Sequence, residues 1–211
     1  MITVKTFPLG MLSTNTYLIT DNFTGKSALV DPACKDERLT KELLSLGKDK
    51  LQYILLTHGH FDHIGGVDAY SQMFSAKVVI SSKDEAFLND NSLNLSCLLG
   101  ASQLKPLKAD ITLNDGDELT LGESKFTFLL TPGHTMGSGC FVFGEDRVIF
   151  SGDTLFYHSM GRVDFPTSNP SDMKNSLKKL SKLQGDFTVY PGHDRFTTLS
   201  EERKSNPYFA D

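Results

Sequence analysis

The sequence predicts a single domain of the mixed α/β class. Its apolar segments are mostly short, and it contains 15 Phe and no Trp, which favours a strand-rich core over a helical bundle. After an opening set of strands, strand-like runs alternate with amphipathic helical patterns, as is typical of α/β proteins. With 211 residues, of which 39% are hydrophobic, the chain is long enough to bury one sizeable core. We therefore expect one domain over residues 1–211.

The N-terminal part of the chain is predicted to form sheet before it forms helix. Apolar or alternating runs predict three strands, at Ile2–Phe7, Thr16–Thr20 and Ser27–Val30. A helix then begins after Asp36, a residue type favoured at helix N-caps, and ends at Gly47. Its apolar residues recur at i, i+4 and i+7 and predict one buried face: Leu39, Leu43 and Leu46.

The middle of the chain alternates strand and helix. Strands are predicted at Tyr53–Leu56 and Lys77–Ile80. Between them, apolar residues at helical spacing predict one helix with a single buried face: Ile64, Val67, Tyr70 and Phe74. Ser82, with Glu85 three residues later, predicts a capping box for a short helix. Residues 89–109 show no convincing period, so we expect an irregular excursion that either lines a substrate entrance or is simply a loop.

The rest of the chain is predicted to be sheet with one long helix. Apolar or alternating runs predict six strands: Ile111–Leu113, Glu118–Leu121, Lys125–Leu130, Cys140–Phe143, Val148–Phe150 and Phe187–Tyr190. The helix spans Ser171–Leu183 and ends before Gly185, and its buried face carries Met173, Leu177 and Leu180. Its lysines, at positions 174, 178, 179 and 182, occupy the opposite face, where we expect contact with solvent and not with nucleic acid.

Composition restricts the kinds of partner. The net charge is -5, so the chain has no broad electrostatic attraction for nucleic acid or anionic lipid, and a small-molecule substrate is the better expectation. No segment approaches the roughly 20 apolar residues of a membrane span. The N-terminus lacks a basic region followed by an apolar stretch, so we do not expect export. Three widely spaced cysteines argue against a disulfide framework and favour a cytoplasmic location.

A dense group of metal-type ligands follows the strand predicted at Tyr53–Leu56. The segment Thr57–His63 reads THGHFDH and holds three histidines and one aspartate. Three other predicted strands also stop shortly before a ligand-type side chain, at His134, Asp153 and His193, each directly preceded by a glycine. Loops at strand ends can converge at one sheet edge, so we expect these side chains to meet. Burying so many imidazoles and carboxylates without compensation is costly, which favours a metal centre over a solvated loop.

The number of ligands predicts two metal ions. Seven side chains are available: His58, His60, Asp62, His63, His134, Asp153 and His193. One tetrahedral ion takes only four ligands. If one carboxylate bridges two ions, seven side chains make eight bonds, or four for each ion. That arrangement matches two-metal sites, whose ions lie about 3.5 to 4 Å apart.

With its THGHFDH motif, the chain resembles the metallo-β-lactamase-fold hydrolases. Later motifs are similar to those of glyoxalase II and its shorter bacterial relatives, the hydroxyacylglutathione hydrolase-like forms: TPGHT at Thr131–Thr135, SGDTLF at Ser151–Phe156, GRVDF at Gly161–Phe165 and YPGHD at Tyr190–Asp194. The matches follow one another in order over nearly the whole chain. The resemblance implies a four-layer αββα sandwich of the α/β (α+β) class.

The resemblance also implies how the ligands are shared. They divide into a first site, a second site and a bridge: His58, His60 and His134; Asp62, His63 and His193; and Asp153. A bridging carboxylate at position 153 is unlike the β-lactamases of this fold, which disfavours antibiotic hydrolysis. Zinc is the expected metal at both sites, with iron or manganese as alternatives.

Two further residues lie close to these motifs. We expect Arg162 to form an ion pair with Asp164 that fixes a loop, and contact with the substrate is the minority interpretation. His158 stands between the SGDTLF and GRVDF motifs. We expect it to be exposed to solvent, and a substrate-binding role beside the site is its alternative.

The predicted enzyme is a metal-dependent hydrolase, and its expected substrate is a thioester such as a hydroxyacyl-glutathione. Two divalent ions lower the pKa of a bridging water toward about 7 and polarise the scissile carbonyl, and Asp62 is expected to orient the resulting hydroxide. Glyoxalase II itself has a further helical C-terminal segment that supplies basic residues for glutathione, whereas this sequence ends at Asp211, so the thiol carrier stays open.

An oxidoreductase is the alternative from another class. Persulfide dioxygenases share this fold and bind one iron through a facial set that corresponds here to His58, His134 and Asp153. A metal-stabilised binding module without catalysis is less favoured, because seven ligands around two ions leave positions open for water. A nuclease is also less favoured, because the sequence is acidic and has no basic stripe.

Overall fold

The computed structural model describes residues 1–97 and 104–209, and it contains two six-stranded sheets. The strands of the first sheet, β1 to β6, are in chain order Ile2–Leu9, Thr14–Asp21, Ser27–Val30, Leu51–Leu55, Lys77–Ser81 and Ile111–Leu113. They lie side by side in the same order. Strands β1 to β3 pair antiparallel, whereas β3 to β6 pair parallel. Parallel neighbours need crossover connections, which is why helices interrupt this half of the chain.

The later strands form the second sheet and a small hairpin. Strands β7 to β14 are in chain order Glu118–Leu121, Ser124–Leu130, Gly139–Phe143, Val148–Gly152, Leu155–Phe156, Ser159–Met160, Thr188–Pro191 and Thr197–Thr198. The second sheet has the order β14-β13-β10-β9-β8-β7, and β11 pairs with β12 separately. Strands β10 and β13 are parallel, and the other neighbours in this sheet are antiparallel.

The helices cover the outer faces of the two sheets. Within the described ranges, helices α1 to α5 are Glu37–Leu46, Phe61–Ile64, Val67–Phe74, Pro170–Ser181 and Leu199–Ser205, and a 3₁₀ helix spans Glu85–Leu88. Helix α1 begins as predicted, because the Asp36 carboxylate accepts hydrogen bonds from the amides of Arg38 and Leu39. None of these helices has the length and apolar character needed to cross a membrane.

Three apolar layers separate the elements into a four-layer αββα sandwich, as predicted. The first lies between α1, α3 and the first sheet, the second between the sheets, and the third between the second sheet and α4 and α5. Successive residues of a strand enter different layers: in β2, Leu18 packs under the helices and Ile19 packs between the sheets. The middle layer is rich in phenylalanine: Phe126, Phe128, Phe141, Phe143 and Phe150.

The single helix predicted behind the histidine cluster is wrong, because α2 and α3 are separated by Gly65 and Gly66. There the backbone packs closely against the loop after β3. The Gly66 amide donates to the Pro32 carbonyl at 2.7 Å, and a Cβ at Gly65 would lie 2.3 Å from the Ala33 carbonyl oxygen. The predicted apolar residues are nevertheless all buried: Ile64, Val67, Tyr70 and Phe74.

The capping box predicted at Ser82 and Glu85 is also wrong. The Ser82 hydroxyl donates to the Asn114 side chain at 2.8 Å, and the 3₁₀ helix follows Asp84 without a side-chain cap. This tertiary contact with the residue that follows β6 replaces the local bond that the spacing suggested. Residues 89–97 and 104–109 contain no helix or strand, as expected, and residues 98–103 lie outside the described part of the chain.

Candidate metal centre

Four loops at strand ends carry the predicted ligands. The segment His58–His63 follows β4 of the first sheet, whereas His134, Asp153 and His193 follow β8, β10 and β13 of the second sheet. The structure brings all seven side chains together in three overlapping groups of possible ligands: His58, His60 and His134; His58, His63 and Asp153; and Asp62, His63 and His193. Within each group, the ligand atoms all lie within 4.8 Å of one another. We call the first the three-histidine group and the third the Asp62 group.

Asp153 lies between these two groups. Its carboxylate oxygens are 3.4 Å from Nε2 of His134, 3.5 Å from Nε2 of His63 and 3.6 Å from Nε2 of His193. Asp62 contacts the same histidines on one side only, with 3.4 Å from its Oδ2 to Nε2 of both His63 and His193. A single carboxylate therefore faces both groups at once.

Several buried ligand atoms lack a hydrogen-bond partner among the described residues. They are the Nε2 atoms of His58, His60 and His63 and the Oδ1 atom of Asp153. Leaving buried polar atoms unpaired is costly, and native structures contain few of them. Imidazole nitrogens and carboxylate oxygens are common ligands of divalent transition metals, so bound cations would satisfy these four atoms. The residues present fit a metal centre.

The three-histidine group is electrically neutral without a metal. Burial lowers the pKa values of His58, His60 and His134 below the ordinary value, and neighbouring histidines add to the effect at His58 and His60. A neutral imidazole is the form that binds a metal ion. These side chains are therefore ready to coordinate a cation near neutral pH.

The Asp62 group, in contrast, contains charged side chains in the absence of a metal. Burial alone would lower the pKa of His63, but the carboxylates of Asp62, Asp153 and Asp31 outweigh it and raise the pKa to about 10. Burial would likewise raise the pKa of Asp62, yet His63, His193 and a hydrogen bond from Thr14 bring it well below its ordinary value. Asp62 is therefore ionised across the physiological pH range.

Asp31 orients one of the ligands, although it was not among the predicted site residues. Asp31 follows β3 directly, and its Oδ2 accepts a hydrogen bond from Nδ1 of His63 at 2.9 Å. The same carboxylate accepts bonds from the Thr57 amide at 2.8 Å and the Thr57 hydroxyl at 2.6 Å. Such partners fix the tautomer and direction of a ligating imidazole. The signal was present, because Ser27–Val30 is a fifth apolar strand followed at once by a carboxylate.

Arg162 and His158 have different surroundings. The Arg162 guanidinium pairs with Asp164 at 2.7 Å, as expected. It also lines a cavity of about 330 Å³ over the metal centre, with Leu12, His60, Phe61, Asp62, Leu95, His134, Asp153, Phe156, Phe165 and His193. His158 is not among these lining residues, and its Nε2 lies 2.6 Å from Glu201 of α5. Arg162 therefore lies at the cavity beside the ligands, whereas His158 does not line it.

The sequence is similar to a known protein family and to individual proteins. Residues 9–193 match the metallo-beta-lactamase superfamily model. The hydroxyacylglutathione hydrolase GloC of Haemophilus influenzae is 32% identical over 207 residues, which cover 97% of each chain. The similarity therefore extends over almost the full length of both proteins.

Solved structures show the same fold. The B3 metallo-beta-lactamase BLEG-1 aligns with a TM-score of 0.90 and 34% identity, covering 99% of this chain and 100% of that one. TTHA1623, solved in a di-iron-bound form, aligns with a TM-score of 0.86 and 33% identity, covering 97% and 100%. ETHE1 from Myxococcus xanthus aligns with a TM-score of 0.76 and 32% identity, covering 97% and 83%. The chain, with its cluster of histidines and aspartates where two sheets meet, belongs to the metallo-beta-lactamase superfamily.

Proposed function

We propose that this protein is a dinuclear metal-dependent hydrolase that cleaves a thioester of the hydroxyacyl-glutathione type. The observation that carries the two-ion assignment is the position of Asp153, whose carboxylate faces both the three-histidine group and the Asp62 group. Each group offers three ligands of its own, and Asp153 would supply a fourth to both. The similarity to a structure with a di-iron centre supports the same count.

Bound divalent ions would supply a water of lowered pKa, near 7, and would polarise a substrate carbonyl. The side chains of this protein would orient the water and bind the substrate. The ionised Asp62 is held by the Thr14 hydroxyl at 2.9 Å, so its carboxylate can accept a hydrogen bond from the attacking water and aim it into the cavity. A thiol leaving group has an ordinary pKa of about 8.5, so it can depart as thiolate without a protonating residue.

The cavity walls agree with an acyl substrate. Leu12, Phe61, Phe156 and Phe165 give the cavity an apolar lining, against which an acyl chain can pack. Arg162 supplies a cation at the same cavity, and its guanidinium lies 4.6 Å over the Phe165 ring. An apolar wall beside one exposed cation suits a thioester that carries a carboxylate away from the scissile bond. The similarity to GloC supports glutathione as the thiol.

Two other activities have their own support. The similarity to a B3 metallo-beta-lactamase supports a β-lactam as another candidate substrate, although the Asp153 carboxylate between the two groups disfavours it. The similarity to ETHE1 is compatible with the oxidoreductase alternative, in which one iron would be held by His58, His134 and Asp153. The oxidoreductase differs from the two hydrolases in its expected metal content, and all three activities differ in substrate, so one set of measurements separates them.

The test combines metal analysis with a substrate panel. We expect purified protein to hold about two ions per chain by mass spectrometry and to hydrolyse S-lactoylglutathione with a higher kcat/KM than a chromogenic cephalosporin. Full loading with two ions but no turnover of any thioester would overturn the proposal. One iron per chain, together with oxygen uptake in the presence of glutathione persulfide, would establish the oxidoreductase in its place.

A further inference from the structure

A buried carboxylate outside the metal centre joins two of its ligand loops. Asp84 lies in the turn between β5 and the 3₁₀ helix and is 0% exposed. Its Oδ2 accepts a hydrogen bond from the Gly59 amide at 3.1 Å and another from the Thr135 hydroxyl at 2.7 Å. Gly59 lies between His58 and His60, and Thr135 directly follows His134 in sequence.

These two loops come from different sheets. The loop of His58 and His60 follows β4 of the first sheet, and the loop of His134 follows β8 of the second sheet. The three-histidine group therefore forms only if the sheets hold these loops in register. Asp84 connects the loops through a single oxygen atom, next to the ligands and without being one of them.

The turn around Asp84 fits both loops closely. A Cβ at Gly59 would lie 2.3 Å from the Cβ of Phe87, in the 3₁₀ helix after Asp84. A Cβ at Gly137, in the loop of His134, would lie 2.4 Å from Oδ1 of Asp84. Glycine at both positions allows the carboxylate and the ring to reach the backbone of each loop. The contact is thus built into both loops.

A negative charge on the buried Asp84 side chain destabilises the metal-free fold. Burial raises the pKa of Asp84 to about 6, and the hydrogen bonds from Thr135 and Gly59 to Oδ2 only partly offset it, while Oδ1 has no hydrogen-bond partner among the described residues. A neutral side chain of the same shape would avoid this cost. A cation bound by the adjacent three-histidine group would offset part of this cost.

We propose that Asp84 is the positioning residue of the three-histidine group, and that it holds the His58–His60 and His134 loops at the separation that a bound metal ion needs. It touches neither substrate nor ion. The inference rests on the proposed two-ion site. It adds that Asp84 supports the metal affinity of the three-histidine group and not that of the Asp62 group.

The test measures metal affinity separately for each group. The background variant His193→Ala removes a ligand of the Asp62 group, and His134→Ala removes one of the three-histidine group. Adding Asp84→Asn to the first background should raise the dissociation constant for Zn²⁺, measured by competition with a chromophoric chelator, about 10- to 100-fold. Adding it to the second background should leave the dissociation constant unchanged. Equal effects in both backgrounds, or none in either, would overturn the proposal.

Asp21→Asn is the matched control. Asp21 is also a buried carboxylate, 1% exposed, and its Oδ2 accepts the Ser124 hydroxyl of the second sheet at 2.7 Å. It lies at the opposite end of β2 from Thr14, away from the ligands. This variant should affect thermal unfolding without changing either dissociation constant. A loss of affinity in Asp21→Asn equal to that in Asp84→Asn would reduce Asp84 to a general stabiliser of the sandwich and overturn the proposal.

A second pair of variants tests the same contact without removing the carboxylate. Thr135→Val deletes the hydroxyl that donates to Asp84, and Thr135→Ser keeps it. The valine variant should weaken Zn²⁺ binding in the His193→Ala background, and the serine variant should restore it; equal affinities would contradict the inference. If wild-type protein holds fewer than two ions, the proposed function fails, but the His193→Ala comparison still reports on Asp84.

Discussion

The imidazole of His63 donates from Nδ1 to the carboxylate of Asp31 at 2.9 Å, and both side chains are almost fully buried. This bond turns Nε2 of His63 toward Asp62 and Asp153, at 3.4 and 3.5 Å. Because Asp31 also binds Thr57 at the start of the ligand loop, one carboxylate fixes both the loop and a ligand within it. The direction of His63 is therefore set before any metal binds.

Replacing Asp31 with Asn should weaken metal binding. The amide cannot fully replace the charge that holds Nδ1–H of His63, so we expect Zn²⁺ affinity of the Asp62 group to fall about 10- to 100-fold. Chelator competition in the His134→Ala background measures that group alone. Asp110→Asn is the control, since Asp110 accepts the Val78 amide in a contact with no ligand loop. Unchanged affinity in Asp31→Asn would show that the bond is dispensable.

Gly59→Ala should disturb the ligand loop by steric overlap. Its new Cβ would lie 2.3 Å from the Cβ of Phe87, an atom that cannot rotate away. We expect a loss of about 1 to 3 kcal/mol in unfolding free energy and a loss of metal from the three-histidine group. Urea denaturation and metal analysis check this. Gly144→Ala is the control, because no atom lies within 4 Å of its Cβ position. Equal behaviour of the two variants would contradict the steric argument.

In the metal-free protein, the contribution of Asp84 to stability should decrease as the pH rises past the ordinary pKa of a carboxyl group, because burial raises its pKa from 3.8 to about 6. The folded chain prefers the protonated form, so this favourable contribution is complete below about pH 4 and is lost by about pH 6. Asp84→Asn does not titrate. Its unfolding free energy minus that of wild type should therefore rise by about 1 to 3 kcal/mol between pH 4 and 7. Urea denaturation with chelator present measures this, and a constant difference would exclude the raised pKa.

Arg162→Ala should affect binding of anionic substrates and leave the metal content intact. The side chain is exposed, so its contact with a substrate carboxylate is screened by solvent, and we expect KM to rise only about two- to fivefold with kcat nearly constant. A thioester with a neutral thiol serves as the comparison substrate. Asp164→Asn keeps the guanidinium and removes its partner, so it should not raise KM. The same increase for neutral and anionic thioesters would remove Arg162 from substrate recognition.

The sequence by itself determined the fold class and the set of possible ligands. Strand alternation and the i, i+4, i+7 leucines of α1 are local patterns, because they follow from the 2.0 and 3.6 residue periods of strand and helix. The ligands were visible because each follows an apolar strand, and a strand end fixes where the next residue must lie. Asp31 also follows an apolar strand, but it was not counted with the ligands. In the structure its carboxylate binds His63, which is itself a predicted ligand.

Only the tertiary structure decided which residues support the ligands and how closely the ligands approach one another. The break between α2 and α3 depends on the Pro32 and Ala33 carbonyls, which are about 30 residues away in sequence, and the Asp84 contact joins loops of two different sheets. The position of Asp153 between two groups likewise depends on how the sheets face each other. Sequence periodicity reports which side of an element is buried, whereas the partner across a sheet interface depends on packing over long chain separations. The residue types of the ligands can be recognised in short sequence segments, whereas the distances between the ligands depend on how the two sheets pack together.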